Sequence, residues 1–136
     1  MSVSSPSLSG FDALGDERFV SLTTFRKTGE AVSTPVWIAR DGDALVVTTP
    51  EESGKVKRIR NGGHVELRPC GRMGKVDDGA VSVTAEAIIL ADDPSRERIT
   101  AIIRRKYGLE YRITMFIERL AAKRQKPRVI LRITQP

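Results

Sequence analysis

Apolar and polar positions alternate along most of the first two thirds of the chain, with the two-residue period of half-buried strands. From Arg18 to Phe25, Val20, Leu22 and Thr24 share one face, and Phe19, Ser21 and Thr23 share the other. Lys27-Thr28-Gly29-Glu30 reads as a turn, and a second strand follows from Ala31 to Arg40. Pro35 removes one ladder donor from that strand, which predicts an edge, a bulge or a ligand-facing break. Asp41-Gly42-Asp43 is a hairpin signal leading into a third strand, Ala44 to Thr49. After a turn at Gly62-Gly63, a strand runs from His64 to Cys70. Gly71 to Gly79 is a loop, and Ala80 to Leu90 is a long strand rich in β-branched residues.

Helical periods interrupt this pattern. Val56 and Ile59 lie three apart in Ser53-Gly54-Lys55-Val56-Lys57-Arg58-Ile59-Arg60-Asn61, so they share one face of a short helix. Its cations fan over the remaining surface. Ser53 or Thr49 is the expected cap. Asp93 as N-cap and Pro94 at the first helical position start a second helix, with Ile99, Ile102, Ile103 and Tyr107 at helical spacing and Gly108 as its stop. A third helix carries Ile113, Phe116, Ile117 and Leu120 on one stripe, with Lys123-Arg124 near its end. Pro127 separates it from a last strand, Arg128 to Thr134, in which Val129, Leu131 and Ile133 alternate with Arg128, Ile130 and Arg132. These elements predict a mainly β (α+β) fold: a small β-barrel over residues 15–136, preceded by a loose tail over residues 1–14. Within that tail, Phe11 to Leu14 has room for one helical turn.

A length of 136 residues fits one domain with one core. The net charge of +6 calls for an anionic partner, whether a phosphorylated small molecule, a nucleic acid or an acidic surface. Aromatics make up only 5%, which argues against base stacking on single strands, and no recognition-helix or RNA-binding signature supports a nucleic-acid module. One cysteine, Cys70, allows no internal disulfide and points to a reducing, cytoplasmic compartment. His64 is the single histidine, which excludes multi-histidine metal sites, and no apolar run is long enough to span a membrane.

The candidate chemistry gathers around the basic helix. A strand-to-helix turn with several cations and exposed backbone N–H groups reads either as a solvated basic surface or as a seat for a phosphate or polycarboxylate. Thr48 and Thr49 end the preceding strand, where their hydroxyls either bond a ligand or cap the helix, Thr49-Pro50-Glu51-Glu52 having the form of a capping box. Trp37 reads as a core or interface residue, or as a flat ring beside a planar cofactor. Cys70 reads as a buried, inert thiol and His64 as a surface residue. No nucleophile–base–orienter set assembles, so no catalytic residue is assigned. A chain this thin in catalytic groups implies a borrowed cofactor that carries the hard chemistry.

The chain resembles the split β-barrel flavin and deazaflavin proteins related to pyridoxamine 5′-phosphate oxidase, and within them the small actinobacterial F420-dependent subgroup. The resemblance rests on Phe19-Val20-Ser21-Leu22-Thr23-Thr24 and on Gly29 through Trp37. It continues through Leu45-Val46-Val47-Thr48-Thr49, Ser53 through Asn61, and Val65-Glu66-Leu67-Arg68-Pro69-Cys70. It implies an FMN-binding-like split barrel, a homodimer with two cofactor sites at the subunit interface, and an oxidoreductase using F420, with FMN as the alternative cofactor. It places the cofactor phosphate near Lys55, then Lys57 and Arg58, with Ser53 and Gly54 at the helix start. Thr48 and Thr49 lie beside the phosphate or linker, and Pro35, Val36 and Trp37 lie against the ring system. Arg68, Arg72 and Lys75 are placed to reach a cofactor tail or the other subunit. An acidic residue is expected after the Pro-Cys pair, where this chain has Gly71. A non-catalytic F420 or FMN carrier is the alternative function.

Overall fold

The computed structural model describes residues 6–122 and 127–136. Seven strands form one antiparallel sheet: β1 (Val20–Phe25), β2 (Ala31–Val36), β3 (Ala39–Asp41), β4 (Ala44–Pro50), β5 (His64–Pro69), β6 (Val83–Leu90) and β7 (Arg128–Thr134). The α-helices are α1 (Pro6–Ala13), α2 (Gly54–Asn61), α3 (Asp93–Tyr107) and α4 (Leu109–Ala122), with a 3-10 turn at Leu14–Asp16. The mainly β fold with a helical pair before the last strand is therefore as expected.

The strand order is β2-β1-β5-β6-β7-β4-β3, so the two edge strands are consecutive in the chain. Only Trp37 and Ile38 join them. The step from Val36 to Ala39 spans at most about 11 Å. The edges must therefore come together, and the sheet curls into a barrel whose seam is Trp37-Ile38. The single strand expected over Ala31 to Arg40 is in fact two. Alternation of side chains is continuous through this stretch, but the backbone leaves one edge and joins the other. Pro35 sits on edge strand β2, opposite Ser21, where its missing N–H costs no central ladder bond.

At the seam, Ile38 has no strand partner, and α3 supplies the missing bonds. The Ile38 N–H donates to the Tyr107 hydroxyl at 2.9 Å. That hydroxyl has the carbonyls of Arg18 and Ile38 at 2.8 and 2.9 Å for its own proton. The Lys106 ammonium donates to the carbonyls of Ile38 and Glu17, both at 2.6 Å, and of Gly15 at 3.0 Å. Burial pushes the Tyr107 phenol up to about 12. Burial is also the main reason Lys106 lies below its ordinary value, with Arg18 adding to the effect.

Two apolar clusters flank the sheet. Leu22, Leu45, Val47, Leu67, Leu131 and Ile133 belong to the inner cluster. Ile99, Ile103 and Tyr107 of α3 pack on the other face against Ala39, Val46 and Ile130. Leu45-Val46-Val47 is an unbroken apolar run because β4 is covered on both faces. Gly63 lies beside β6, where an added Cβ would fall 2.6 Å from the Ala87 carbonyl oxygen.

Two local expectations change and a third narrows. The tail was expected to extend through Leu14, but Pro6–Ala13 is helical, and Phe11 and Leu14 are buried in the inner cluster. Arg40 fixes this segment by pairing with Asp12 and Asp16 at 3.2 and 3.1 Å. The sequence allows a turn at Phe11 to Leu14, but only the barrel supplies a surface for its apolar face. Asp92, one residue earlier than expected, caps α3 by accepting from the Ser95 N–H at 3.0 Å, which moves Pro94 into the second position. α2 is capped by Ser53, whose side chain makes no capping bond, while Thr49 remains in β4. The part of the expected tail over residues 1–5 and the expected helix end at Lys123-Arg124 lie outside the described residues. No described helix is long and apolar enough to cross a membrane.

Tyr107→Phe keeps the ring but leaves the Ile38 N–H without its acceptor, and we expect it to cost about 1–3 kcal/mol in urea unfolding at neutral pH. An unchanged midpoint would show that the seam does not depend on that hydroxyl.

Candidate functional site

A cavity of about 210 Å³ lies where the seam, the end of β4 and the inner side of α4 meet. One wall is Pro35, Val36 and Trp37, with Phe19 from the start of β1. Thr48, Thr49 and Pro50 form the floor, and Lys55 projects from the first turn of α2. Thr114, Met115 and Glu118 of α4 and Arg128 at the start of β7 complete the lining.

The aromatic wall follows from the seam. Trp37 stacks on Tyr107 with ring centroids 4.7 Å apart and an interplanar angle of 18°, and Tyr111 of α4 lies 6.1 Å from the same ring. The bonds that close the barrel therefore also fix the indole. Arg72 lies over the Phe19 ring at 5.1 Å and pairs with Glu110 at 3.3 Å, which ties the loop after β5 to α4.

Among the described residues, two cations line the cavity. Val56 and Ile59 are buried and anchor α2 against β1 and β6, which leaves Lys55 turned to the cavity. Lys55 is half-buried and makes no ion pair with the described residues. Its burial, then the charges of Arg58 and Arg128, hold it below its ordinary value of 10.5. Arg128 is more committed. It donates to the Thr48 hydroxyl at 3.1 Å and the Thr48 carbonyl at 3.2 Å. Its third nitrogen reaches both Glu118 carboxylate oxygens at 2.9 Å. Thr49 is buried, and its hydroxyl donates to the Ser53 hydroxyl at 3.3 Å.

Six of the residues named from the sequence thus line one cavity: Pro35, Val36, Trp37, Thr48, Thr49 and Lys55. Four do not. Lys57 is exposed, and Ser53 and Gly54 form the turn behind Lys55. Arg58 points the other way and donates to Thr24 at 2.6 Å. The bare Cα of Gly54 leaves room for that guanidinium, since a Cβ there would lie 2.7 Å from it. Arg68 and Lys75 are exposed. Gly71 closes a turn to Lys75 at 2.9 Å, and an added Cβ there meets nothing within 4 Å.

Arg128, Glu118, Thr114 and Met115 were not found from the sequence. Arg128 enters through β4–β7 pairing, which sets it opposite Pro50. The only local hint for Glu118 is that it falls opposite the α4 apolar stripe, as a solvated residue would. Cys70 and His64 lie away from the cavity. Burial, then Asp77 and Glu17, raise the Cys70 thiol. His64 is exposed and stacks on Phe25 at 5.2 Å. A larger groove of about 440 Å³ at the α3–α4 elbow is lined by Arg104, Arg105 and Arg112, but it has no aromatic wall.

No curated protein matches the chain. Among solved structures, it is similar to a conserved hypothetical protein from Mycobacterium tuberculosis, at 21% identity and a TM-score of 0.67, covering 98% of this chain and 81% of that one. A FAD-binding protein from Mesorhizobium loti aligns at 16% identity and a TM-score of 0.64, covering 96% and 88% of the two chains. A protein named F420 reductase aligns at 18% identity and a TM-score of 0.60, covering 93% and 94%. At these identities the likeness is one of fold. The sequence profile described as pyridoxamine 5′-phosphate oxidase matches residues 11–135, nearly the whole chain, and the protein belongs to that family.

Proposed function

We propose that the cavity seats the phosphate-bearing arm of F420 and that the protein is an F420-dependent oxidoreductase of the small actinobacterial type. The observation that carries this reading is Lys55, a half-buried ammonium without an ion-pair partner among the described residues, set beside Arg128 and below an aromatic wall. A charge held in that position is stabilised when an anion arrives. The residues present fit the group. Lys55 and Arg128 face the anion, the Thr48 and Thr49 hydroxyls lie next to them, and Trp37 and Phe19 offer flat apolar surface to a ring. When bound, the deazaflavin supplies hydride transfer to a conjugated acceptor. The chain's own residues bind the anion, orient the ring and keep water from its apolar side. No protein acid or base is assigned. F420 carries a phosphodiester and an acidic tail, which suits a chain of net charge +6, and FMN is the alternative cofactor. The lone Cys70 fits a reducing cytoplasm.

A cavity of about 210 Å³ holds only part of such a coenzyme, so the rest must lie against a second surface. The outer side of α4 provides one. Leu109, Ile113, Phe116, Ile117 and Leu120 are all at least half exposed and form one apolar stripe. We assign this stripe to a homodimer interface that completes the site.

A carrier without turnover is the second reading. It is favoured by the Arg128–Glu118 pairing, which commits the carboxylate that the described residues bring to the cavity lining. Oxidation of reduced F420 by a panel of quinones and enones separates the two: turnover identifies the enzyme, and binding without turnover the carrier.

Fluorescence titration with F420 and FMN tests the site. Lys55→Met is expected to weaken F420 binding at least about tenfold, the scale of one lost charge-assisted bond. The same change removes a desolvated charge, so the melting temperature without ligand should rise by roughly 1–3 °C. Wild-type affinity should fall as the pH rises toward 10.5, because Lys55 loses its proton below that value. Unchanged F420 affinity in Lys55→Met would overturn the site, and tight FMN binding with no response to F420 would overturn the cofactor. For the interface, Phe116→Glu is expected to sediment as a monomer and to bind F420 more weakly, whereas a wild-type protein that is already monomeric would remove the dimer reading.

A further inference from the structure

We infer that the elbow between α3 and α4 is a second anion-binding site, which takes a small, multiply charged oxyanion of the phosphate or polycarboxylate class. It shares no described lining residue with the cavity, so it stands whether or not the cavity seats F420. Ile99, Ile103 and Tyr107 pack α3 on the sheet, which turns Ala101, Arg104, Arg105 and Gly108 outward. Gly108 then starts the turn into α4. Its N–H donates to the Arg104 carbonyl at 2.7 Å, and its carbonyl accepts from the Tyr111 and Arg112 N–H groups at 3.1 and 3.4 Å. The backbone that carries the arginines is thereby fixed. The groove they line has a volume of about 440 Å³, enough for an anion of this size.

Elsewhere in the chain arginines meet carboxylates: Arg40 pairs with Asp12 and Asp16, and Arg98 and Arg132 pair with Asp41. Arg104, Arg105 and Arg112 make no ion pair with the described residues, and residues 1–5 and 123–126 contain neither Asp nor Glu. Glu110, in the first turn of α4, is turned to Arg18 and Arg72 instead. Helix electrostatics account for Arg104 and Arg105, which stand in the last turn of α3, where cations are favoured. They do not account for Arg112, which stands in the first turn of α4, where the helix dipole opposes a cation. Arg104 is also oriented in advance. Its guanidinium lies 5.9 Å from the Tyr111 ring centre, and stacking on a ring face leaves its N–H edge free to donate. Like charges around one groove repel one another. A bound oxyanion offsets that repulsion and accepts charge-assisted bonds from the guanidinium groups.

Calorimetric titration with pyrophosphate and with citrate at low ionic strength tests the site. The wild type is expected to bind at least one of them saturably, and the tighter of the two identifies a phosphate or a polycarboxylate source. Pyrophosphate also suits the seat at Lys55, so the titrations are repeated in Lys55→Met, which is expected to keep the elbow binding. In that background Arg105→Gln and Arg112→Gln, both exposed, should each weaken binding about tenfold, the scale of one lost charge-assisted bond. Arg112→Lys keeps the charge without the planar fork and should fall between Arg112→Gln and Arg112 itself. Absence of saturable binding in the wild type overturns the inference, and that result does not require any variant to fold. Loss of all binding in Lys55→Met overturns it too, because the anion is then in the cavity. So does an affinity unchanged by both Arg105→Gln and Arg112→Gln. Acetate binding as tightly as citrate also overturns it, since that is screening of a basic surface.

Discussion

The structure depends on satisfying the backbone of one residue. A sheet whose first and last strands are consecutive in sequence must close on itself, and at the closure Ile38 belongs to neither edge. Its N–H and C=O are buried, where an unmet bond costs about 1–3 kcal/mol. Tyr107 and Lys106, adjacent at the end of α3, take both groups and also reach the carbonyls of Gly15, Glu17 and Arg18. Two side chains from one helix turn thus hold the N-terminal segment, the start of β1 and the seam in a single cluster.

The site is a consequence of this closure. The turn at the seam places Trp37 against Tyr107 and leaves Pro35 and Val36 on an edge, so an apolar, aromatic wall forms where the sheet is open. β4 brings Thr48 and Thr49 to the same place, and the short helix after it brings Lys55. α4 follows α3 after Gly108, whose φ of +56° suits a residue without a side chain, and so folds back over the opening. Cavity, wall and cover are set by the same few bonds.

The charge of the site is divided between distant parts of the chain. α2 supplies Lys55, β7 supplies Arg128, and α4 supplies Glu118, which pairs with Arg128. Arg58 belongs to the same basic run as Lys55, yet it is spent on Thr24, outside the cavity. A count of cations along the sequence would have put both in the seat and would have left out the carboxylate.

The sequence alone determined the strands, the basic helix with its Val56 and Ile59 anchor, and the helical pair, because two-residue and three-to-four-residue periods are local properties. It also determined six lining residues of the cavity, which lie in two short runs and the helix between residues 35 and 55. Only the tertiary structure decided that the strand from Ala31 breaks at Trp37, since side-chain alternation is blind to which edge a backbone joins. It also decided that Phe11 and Leu14 are core, that Arg58 turns away, and that Arg128 and Glu118 meet at Thr48. Those outcomes depend on strand pairing across about 80 residues and on the angle of a helix, and no local period encodes either.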